Sequence, residues 1–317
     1  SPDTGDENGA TFGVAHAGGY RFEDPYLLGF SHIHLVGTGI ADYGNLLVMP
    51  TRGAADQVDW KAYRAPLNHD GELAAPGYYR MELQDRGVTA ELTGTLRTGV
   101  HRYSFTGDAA AHLVIDVTHV LGTGTTPDSA ITVNAETGAF SGFVHNLGNF
   151  SDRFGGFKLY FVGRPSRAPT GVGTFDGAGF HAGVTAATGT HSGAVLTFDP
   201  SKGPVELQVG LSFVDVAGAE ANLDAEAAAF DTVRAAAEAT WREKLSVVEV
   251  APGSDDRMTI LYTALYHVAL MPTLLMDVDG RYRGIDQEVH QADGFVYYSD
   301  LSLWDTYRTF HPLVGLL

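Results

Sequence analysis

The 317-residue chain carries 38 acidic against 20 basic residues, a formal net charge of -18 and a 44% hydrophobic share, the last that of an ordinary globular protein. That charge, with no lysine or arginine cluster to offset it, repels phosphate backbones and anionic lipid heads, and so argues against nucleic-acid and membrane-surface partners. The lack of cysteine excludes disulfides, thiolate metal sites and cysteine nucleophiles, and no apolar run approaches the ~20 residues of a membrane span.

The opening SPDTGDENGA has neither the basic nor the apolar region of an export signal, so the expectation is that a signal was removed or that the chain is cut. From Ser1 to about Gly218 the sequence reads as β-structure. Short apolar or alternating runs recur at 44–49, 78–83, 88–96, 101–105, 112–117, 130–133, 158–162 and 205–213 between Gly, Asp, Asn and Pro. Many short strands at such spacing, with 39 glycines for tight turns, predict a β-sandwich over 1–218. Within it His32 and His34 lie two apart, so a strand there sets both imidazoles on one face. A metal pair and a pair of edge or capping histidines both fit that spacing. The loop that follows, Gly37-Thr38-Gly39 and then Asp42-Tyr43-Gly44, is rich in backbone donors but lacks the strand-GxGxxG-helix context of a nucleotide site.

Composition shifts at Ala217. Ala219 to Leu245 is alanine-rich, with Asn222 as N-cap, Asp224 and Glu226 in the first turn, and Phe230, Val233, Ala237, Trp241 and Leu245 on one face, which predicts a helix. A second helix begins at Ser254, carries Met258, Leu261, Leu265 and Val268 as its apolar stripe, and closes at Pro272. The two form a helical linker over 219–272. Asp279-Gly280 predicts a tight hairpin turn. Asp277-x-Asp279-Gly280 also resembles the opening of a calcium loop, but it lacks the third acidic position before the glycine. Asp300 is placed to cap a last helix from about Leu301 toward Pro312.

The stretch 281–317 concentrates the chemistry. Asp286, Glu288, His290, Asp293, Asp300, Asp305 and His311 alternate with Tyr297, Tyr298, Trp304, Tyr307 and Phe310, and Arg281, Arg283 and Arg308 stand between them. Pyranoses are bound by such mixtures, through ring stacking on the apolar face and forked hydrogen bonds to the hydroxyl rim. On the last helix Trp304, Asp305 and Arg308 fall on one side and Leu303, Tyr307 and Phe310 on the other, which is expected to pack inward. One reading is a sugar subsite. The other is an Asp305–Arg308 pair at i,i+3 beside a half-buried tryptophan. Asp286, Glu288 and Asp293 read as a solvated loop or supporting groups, and no GxSxG, HExxH or P-loop pattern occurs.

Several segments in order along the chain resemble glycoside hydrolase family 92: Ser1-Pro2-Asp3-Thr4-Gly5, Gly29 to Gly39, Asp42-Tyr43-Gly44, Thr93 to Tyr103, Asp279 to Gly284 and Ser302 to Thr309, the last being the most specific. Ile33 and Val36 depart from the threonine and serine expected in the histidine motif. The resemblance implies an N-terminal β-sandwich, a helical linker and, from 273, the start of an (α/α)6 barrel. It implies a secreted, periplasmic or cell-surface, calcium-dependent exo-α-mannosidase that inverts configuration on mannose-containing glycans. Inversion needs an acid and a base roughly 6.5–9.5 Å apart. Both carboxylates and most calcium ligands are expected downstream of Leu317, so the chain is expected to be a fragment at both ends, with no catalytic residue of its own. The matched positions imply substrate binding by Trp304 and Asp305 with Arg308 in support, and by His32, His34, Gly37, Thr38, Gly39 and Asp42 from the sandwich. A non-catalytic carbohydrate-binding sandwich and a purely architectural domain are the alternatives.

Overall fold

Burial follows the alternating sequence with a period of two. Val88, Ala90 and Leu92 are buried while Thr89, Glu91 and Thr93 are half-exposed, and Val205, Leu207 and Val209 alternate in the same way with Glu206 and Gln208. The structure, a computed structural model, describes residues 1–8, 17–36, 39–251 and 253–317. In chain order the first strands are β1 (Pro2–Gly5), β2 (Tyr26–Phe30) and β3 (Leu47–Arg52), then a short helix α1 (Trp60–Tyr63), β4 (Ala65–Pro66), β5 (Leu73–Ala75), β6 (Tyr78–Leu83), β7 (Val88–Gly94), β8 (Thr98–Phe105) and β9 (Ala111–Asp116). There follow β10 (Thr125–Val133), β11 (Phe140–Leu147), β12 (Phe157–Pro165), β13 (Gly171–Asp176), β14 (Gly179–Ala182), β15 (Ala186–Thr188), β16 (Gly193–Phe198) and β17 (Val205–Ser212). They make two sheets: β1-β2-β3-β9-β16-β13-β14 with β4 beside β2, and β15-β10-β11-β12-β17-β8-β7-β6-β5.

Residues from both sheets share one core, in which Phe30, Tyr103, Phe161, Phe175 and Phe198 are fully buried. The fold is therefore the expected sandwich. Its first sheet is covered on both faces at the centre, since β9 is buried at every position and Tyr63 of α1 bonds the Asp116 carboxylate at 2.8 Å. This is why 112–117 reads as a continuous apolar run rather than an alternation.

The alanine-rich segment forms two helices instead of one, α2 (Val216–Glu226) and α3 (Phe230–Leu245). Asp215 is the cap, accepting from the Gly218 N–H at 2.6 Å, whereas Asn222 is fully buried within α2. Tertiary packing overrides propensity here. Helix α2 lies on β12 and β17, so close that a side chain at Gly210 would meet the Ala219 carbonyl oxygen at 2.5 Å, while α3 turns away to pack Phe230 and Val233 against Tyr78 and Val100. The freed groups at the break find partners on β17: Gln208 donates to the Ala228 carbonyl at 2.8 Å, and the Phe230 N–H donates to Glu206 at 3.3 Å.

Helix α4 (Asp255–Val268) begins after Ser254 as expected. Beyond it, β18 (Thr273–Leu274) pairs with β21 (Tyr298–Ser299), and β19 (Arg281–Arg283) pairs with β20 (Val289–Gln291). The turn before β19 closes with the Gly280 N–H on the Asp277 carbonyl at 3.0 Å, and Gly280 takes φ 85°, which explains the glycine. The last predicted helix is broken into α5 (Leu303–Thr306) and α6 (Phe310–Leu316). The break resets the helical phase, and Leu303 and Tyr307, expected to pack inward, are 68% and 50% exposed.

Candidate functional site

His32 and His34 follow β2 in a backbone that is not strand, so their two-residue spacing does not put them on one face. His32 Nδ1 is 2.6 Å from the Leu46 carbonyl oxygen, its Nε2 is 3.0 Å from His101 Nε2, and His101 Nδ1 is 2.6 Å from the Tyr103 hydroxyl. A carbonyl only accepts, so the His32 Nδ1 carries the proton and its Nε2 accepts. His101 therefore donates from Nε2, and Tyr103 donates to its Nδ1. Both imidazoles are neutral in this chain. Burial pushes the His32 pKa down to about 3, and burial with His32 alongside holds His101 well below the ordinary value.

His34 turns the other way. Its Nε2–H donates to Asp3 Oδ1 at 2.6 Å, with Ser31 Oγ at 2.9 Å from the same nitrogen, and His119 donates to Asp3 Oδ2 at 2.9 Å. Burial alone raises the Asp3 pKa, but the two imidazoles outweigh it and hold the carboxyl well below the carboxylate range. Burial opposes the charge of His119, yet Asp3 raises its pKa. Gly39 is described at φ 69°, and Gly37 and Thr38 lie outside the described residues.

Asp42 is 2% exposed and its carboxylate is taken up by five donors. They are the N–H groups of Tyr43, Phe150 and Ser151 at 2.9, 3.1 and 2.8 Å, and the Asn146 amide and Ser151 hydroxyl at 3.0 Å each. Asp42 thus fixes the β11–β12 loop against its own. The next residue reaches across the molecule, for the Tyr43 hydroxyl donates to Asp300 Oδ1 at 2.8 Å. Asp300 stands at φ 73°, four residues before Trp304, and burial raises its pKa against the hydrogen bonds from Thr273 and Tyr43. It ties the two halves together and does not cap α5, whose N-cap residue is Ser302.

A second tie lies at Asp277. Its Oδ1 accepts from the Asn222 amide at 2.8 Å and its Oδ2 from the Ser212 hydroxyl at 2.7 Å, while Asn222 also donates to the Leu211 carbonyl at 2.7 Å and accepts the Val278 N–H at 2.8 Å. Burial raises the Asp277 pKa against those two donors. Arg281 forks onto Asp215 at 2.7 and 3.3 Å, and Arg97 donates to the Met276 carbonyl at 2.6 Å and to Glu226 at 3.0 Å. None of these partners was identified from the sequence, because, apart from Asn222 and Leu211, each pair joins residues 55 or more apart.

On α5, Trp304 is 84% exposed and Asp305 is exposed, while Arg308, just beyond, donates from Nε to the Tyr307 hydroxyl at 2.6 Å. The alternative of a half-buried tryptophan beside an Asp305–Arg308 pair is not what forms. An open ring face and an unsequestered carboxylate stand next to each other on one short helix, a donor and acceptor set suited to a sugar ring.

Calcium takes six to eight oxygen ligands. Among the described residues no group of three or more His, Asp or Glu side chains is placed to hold a metal ion. Asp277 and Asp279, whose spacing resembles a calcium loop, are engaged by Asn222 with Ser212 and by Arg281, and Asp42 and Asp286 are likewise taken up, by five donors and by His290. The described residues do not fit a calcium site.

A two-sheet sandwich whose last strand feeds helices, and whose polar ties fix an exposed Trp-Asp turn beyond them, defines the front of a glycoside hydrolase built from sandwich and helices. Comparison with known proteins gives the particular kind. Residues 1–212 match the glycosyl hydrolase family 92 N-terminal domain and residues 218–317 the family 92 catalytic domain, so the chain belongs to glycosyl hydrolase family 92. It is similar to a family GH92 α-mannosidase from Bacteroides thetaiotaomicron, with 30% identity and a TM-score of 0.86 over 99% of this chain and 43% of that one. That enzyme is also known in complex with mannoimidazole. A family GH92 inverting mannosidase from the same organism is 27% identical, with a TM-score of 0.85 over 99% of this chain and 41% of that one. An uncharacterized secreted glycosidase from Arthroderma benhamiae is 27% identical over 295 residues, 82% of this chain and 37% of that protein. The chain thus spans about two fifths of the length of these relatives.

Proposed function

We propose that the protein is a secreted exo-α-mannosidase that removes terminal α-linked mannose from glycans with inversion and needs calcium, and that this chain supplies its substrate-facing front. The observation that carries the reading is the likeness over 99% of the chain to an α-mannosidase that has been seen with mannoimidazole. Inversion is supported by the likeness to a second enzyme, an inverting mannosidase, and secretion by the likeness to the fungal secreted glycosidase. Among the described residues no helix is long and apolar enough to cross a membrane.

In this reading Trp304 covers the apolar face of the terminal mannose, Asp305 accepts from vicinal hydroxyls, and Arg308 supports them. The sandwich contributes the loop from His32 through Gly37, Thr38 and Gly39 to Asp42. Asp42 positions rather than binds, since its oxygens are already committed to the β11–β12 loop. Calcium, with the acid and base of hydrolysis, belongs in this reading to parts of the protein other than the described residues.

The test is mannose release from simple α-mannosides by the full-length protein, before EDTA, after EDTA and after calcium is restored. The expected result is activity that is lost and then returns. Sugar binding without turnover on any α-mannoside replaces this reading with that of a carbohydrate-binding module, and activity indifferent to EDTA removes the calcium requirement.

A further inference from the structure

His145 of β11 and Lys158 of β12 are direct cross-strand partners, next but one to the pair Phe143 and Tyr160, so all four side chains share the outer face of the larger sheet. On that face a cavity of ≈ 260 Å³ is lined by His145, Lys158 and Tyr160 from the sandwich and by Arg283 and Gln287 from the β19–β20 hairpin. Its walls therefore come from both halves of the chain. Lys158 and Arg283 bring two positive charges to one cleft, an arrangement that an anion lying between them would stabilise.

Asp215 bonds Arg281, the largest cause of its lowered pKa, and is near enough for Arg283 to lower it further without bonding it. In a chain with 38 acidic and 20 basic residues, neither Lys158 nor Arg283 forms an ion pair among the described residues. Lys158 Nζ lies 5.0 Å from the centre of the Phe143 ring. Arg283 donates to three carbonyls, those of Phe213 at 3.1 Å, Val214 at 3.1 Å and Gln287 at 2.6 Å, which position the guanidinium without neutralising it and leave two of its five N–H groups. Its neighbour Arg281 is the contrast, bonded to both Asp215 and Asp279. His145 is oriented too, its Nε2 donating to the Gly155 carbonyl at 2.9 Å. Gln287 adopts φ 67°, a left-handed backbone that a non-glycine residue keeps only where the surroundings hold it.

We propose that this cleft binds a small oxyanion, a carboxylate or phosphate that is either free or carried on a sugar, with Arg283 and Lys158 as its charged donors and the Tyr160 ring beside the group that bears it. The inference is independent of the glycosidase reading, because it concerns binding away from the Trp304 turn and is read without turnover.

The experiment is calorimetric titration of the full-length protein at low ionic strength with inorganic phosphate, glucose 6-phosphate and glucuronate in turn. Dissociation constants on the order of 1 mM or tighter are expected for at least one, weakened about tenfold by Lys158→Met, which keeps the stem against Phe143 and removes one charge-assisted bond. A sugar-borne anion binding at least about tenfold tighter than inorganic phosphate identifies a glycan ligand, and equal binding identifies the free ion. Thermal unfolding of Lys158→Met checks that the variant is folded. No binding of any of the three, or equal binding by Lys158→Met and Lys158→Glu, overturns the proposal.

Discussion

Replacing Asn222 by alanine tests whether the linker helix anchors the C-terminal hairpin. The amide serves three partners, the buried Asp277 carboxylate at 2.8 Å and, in part-buried bonds, the Leu211 carbonyl at 2.7 Å and the Val278 N–H at 2.8 Å. Leaving a buried partner unsatisfied costs about 1–3 kcal/mol, and more when the partner is charged. Taking about 2–3 kcal/mol for the buried, charged Asp277 and about 1 kcal/mol for each part-buried partner gives about 4–5 kcal/mol, from which alanine's better helix propensity returns about 0.5 kcal/mol. Urea denaturation of the full-length protein at pH 7 should therefore show a loss of about 3–5 kcal/mol in the transition that includes the sandwich. The pH dependence sharpens the test. The Asp277 pKa is already raised, and removing one of its two donors raises it further, so its charge costs stability above that pKa and the cost is relieved as pH falls. The deficit of Asn222→Ala relative to wild type should narrow between pH 7 and pH 5. A loss under about 1 kcal/mol at pH 7, or a deficit that widens on acidification, would refute the latch.

Asp42→Ala frees five donors, and a loss of about 2–4 kcal/mol is expected, with hydrogen exchange rising first at Phe150 and Ser151; protection unchanged there argues that other contacts hold the loop. The neutral His32–His101 pair has depressed pKa values, so its contribution is complete above the unfolded value near 6.5 and is lost as pH falls. Each of the two imidazoles that the unfolded chain protonates between pH 7 and pH 5 costs about 2 kcal/mol, about 4 kcal/mol for the pair, opposed by His119, whose raised pKa stabilises at low pH and loses that contribution as pH rises through it. A stability profile flat over this range in His119→Gln, which lacks the opposing group, would contradict the neutral assignment. Trp304→Ala should leave unfolding within about 0.5 kcal/mol, because the ring is 84% exposed, yet lower kcat/KM on α-mannosides. Asp305→Ala should cost several kcal/mol of transition-state binding, and an unchanged kcat/KM removes it from the subsite.

The strands were legible because their cause is local. Alternation such as Val88-Thr89-Ala90-Glu91-Leu92 states which face is buried, and Ser254 and Gly280 mark a helix start and a turn by residue type alone. Errors came where a residue suited to a local role was recruited by a distant one. Asn222 and Asp300 both have the chemistry of a cap, but one bonds across to Asp277 and the other to Tyr43, 257 residues earlier in the chain. The pairing of His32 with His101 was half readable, since His101 and Tyr103 alternate onto one face of β8, but nothing local says that a loop histidine completes the chain. The Trp304-Asp305 turn was singled out because its residue types carry chemistry wherever they stand. The break that exposes Leu303 and Tyr307 has no local breaker before Pro312, and so left no mark in the apolar periodicity.

Among the described residues polar ties join the C-terminal segment to the sandwich and α2: Tyr43 to Asp300, Arg97 to the Met276 carbonyl, Arg281 to Asp215, Arg283 to the Phe213 and Val214 carbonyls, and Asn222 with Ser212 to Asp277. An apolar interface would hold these segments together at many small offsets, because burial is not directional. Hydrogen bonds weaken steeply with angle, so several of them acting at once select one placement. Each tie fastens a backbone segment within 276–283 or Asp300 itself, and Trp304 follows four residues later. A site for a rigid sugar ring needs its stacking face and its acceptor held to a fraction of an ångström. Directional bonding spread along the sandwich rim therefore does for the Trp304 turn what the apolar core does for the sheets: it fixes position, here at an exposed surface where no core packs.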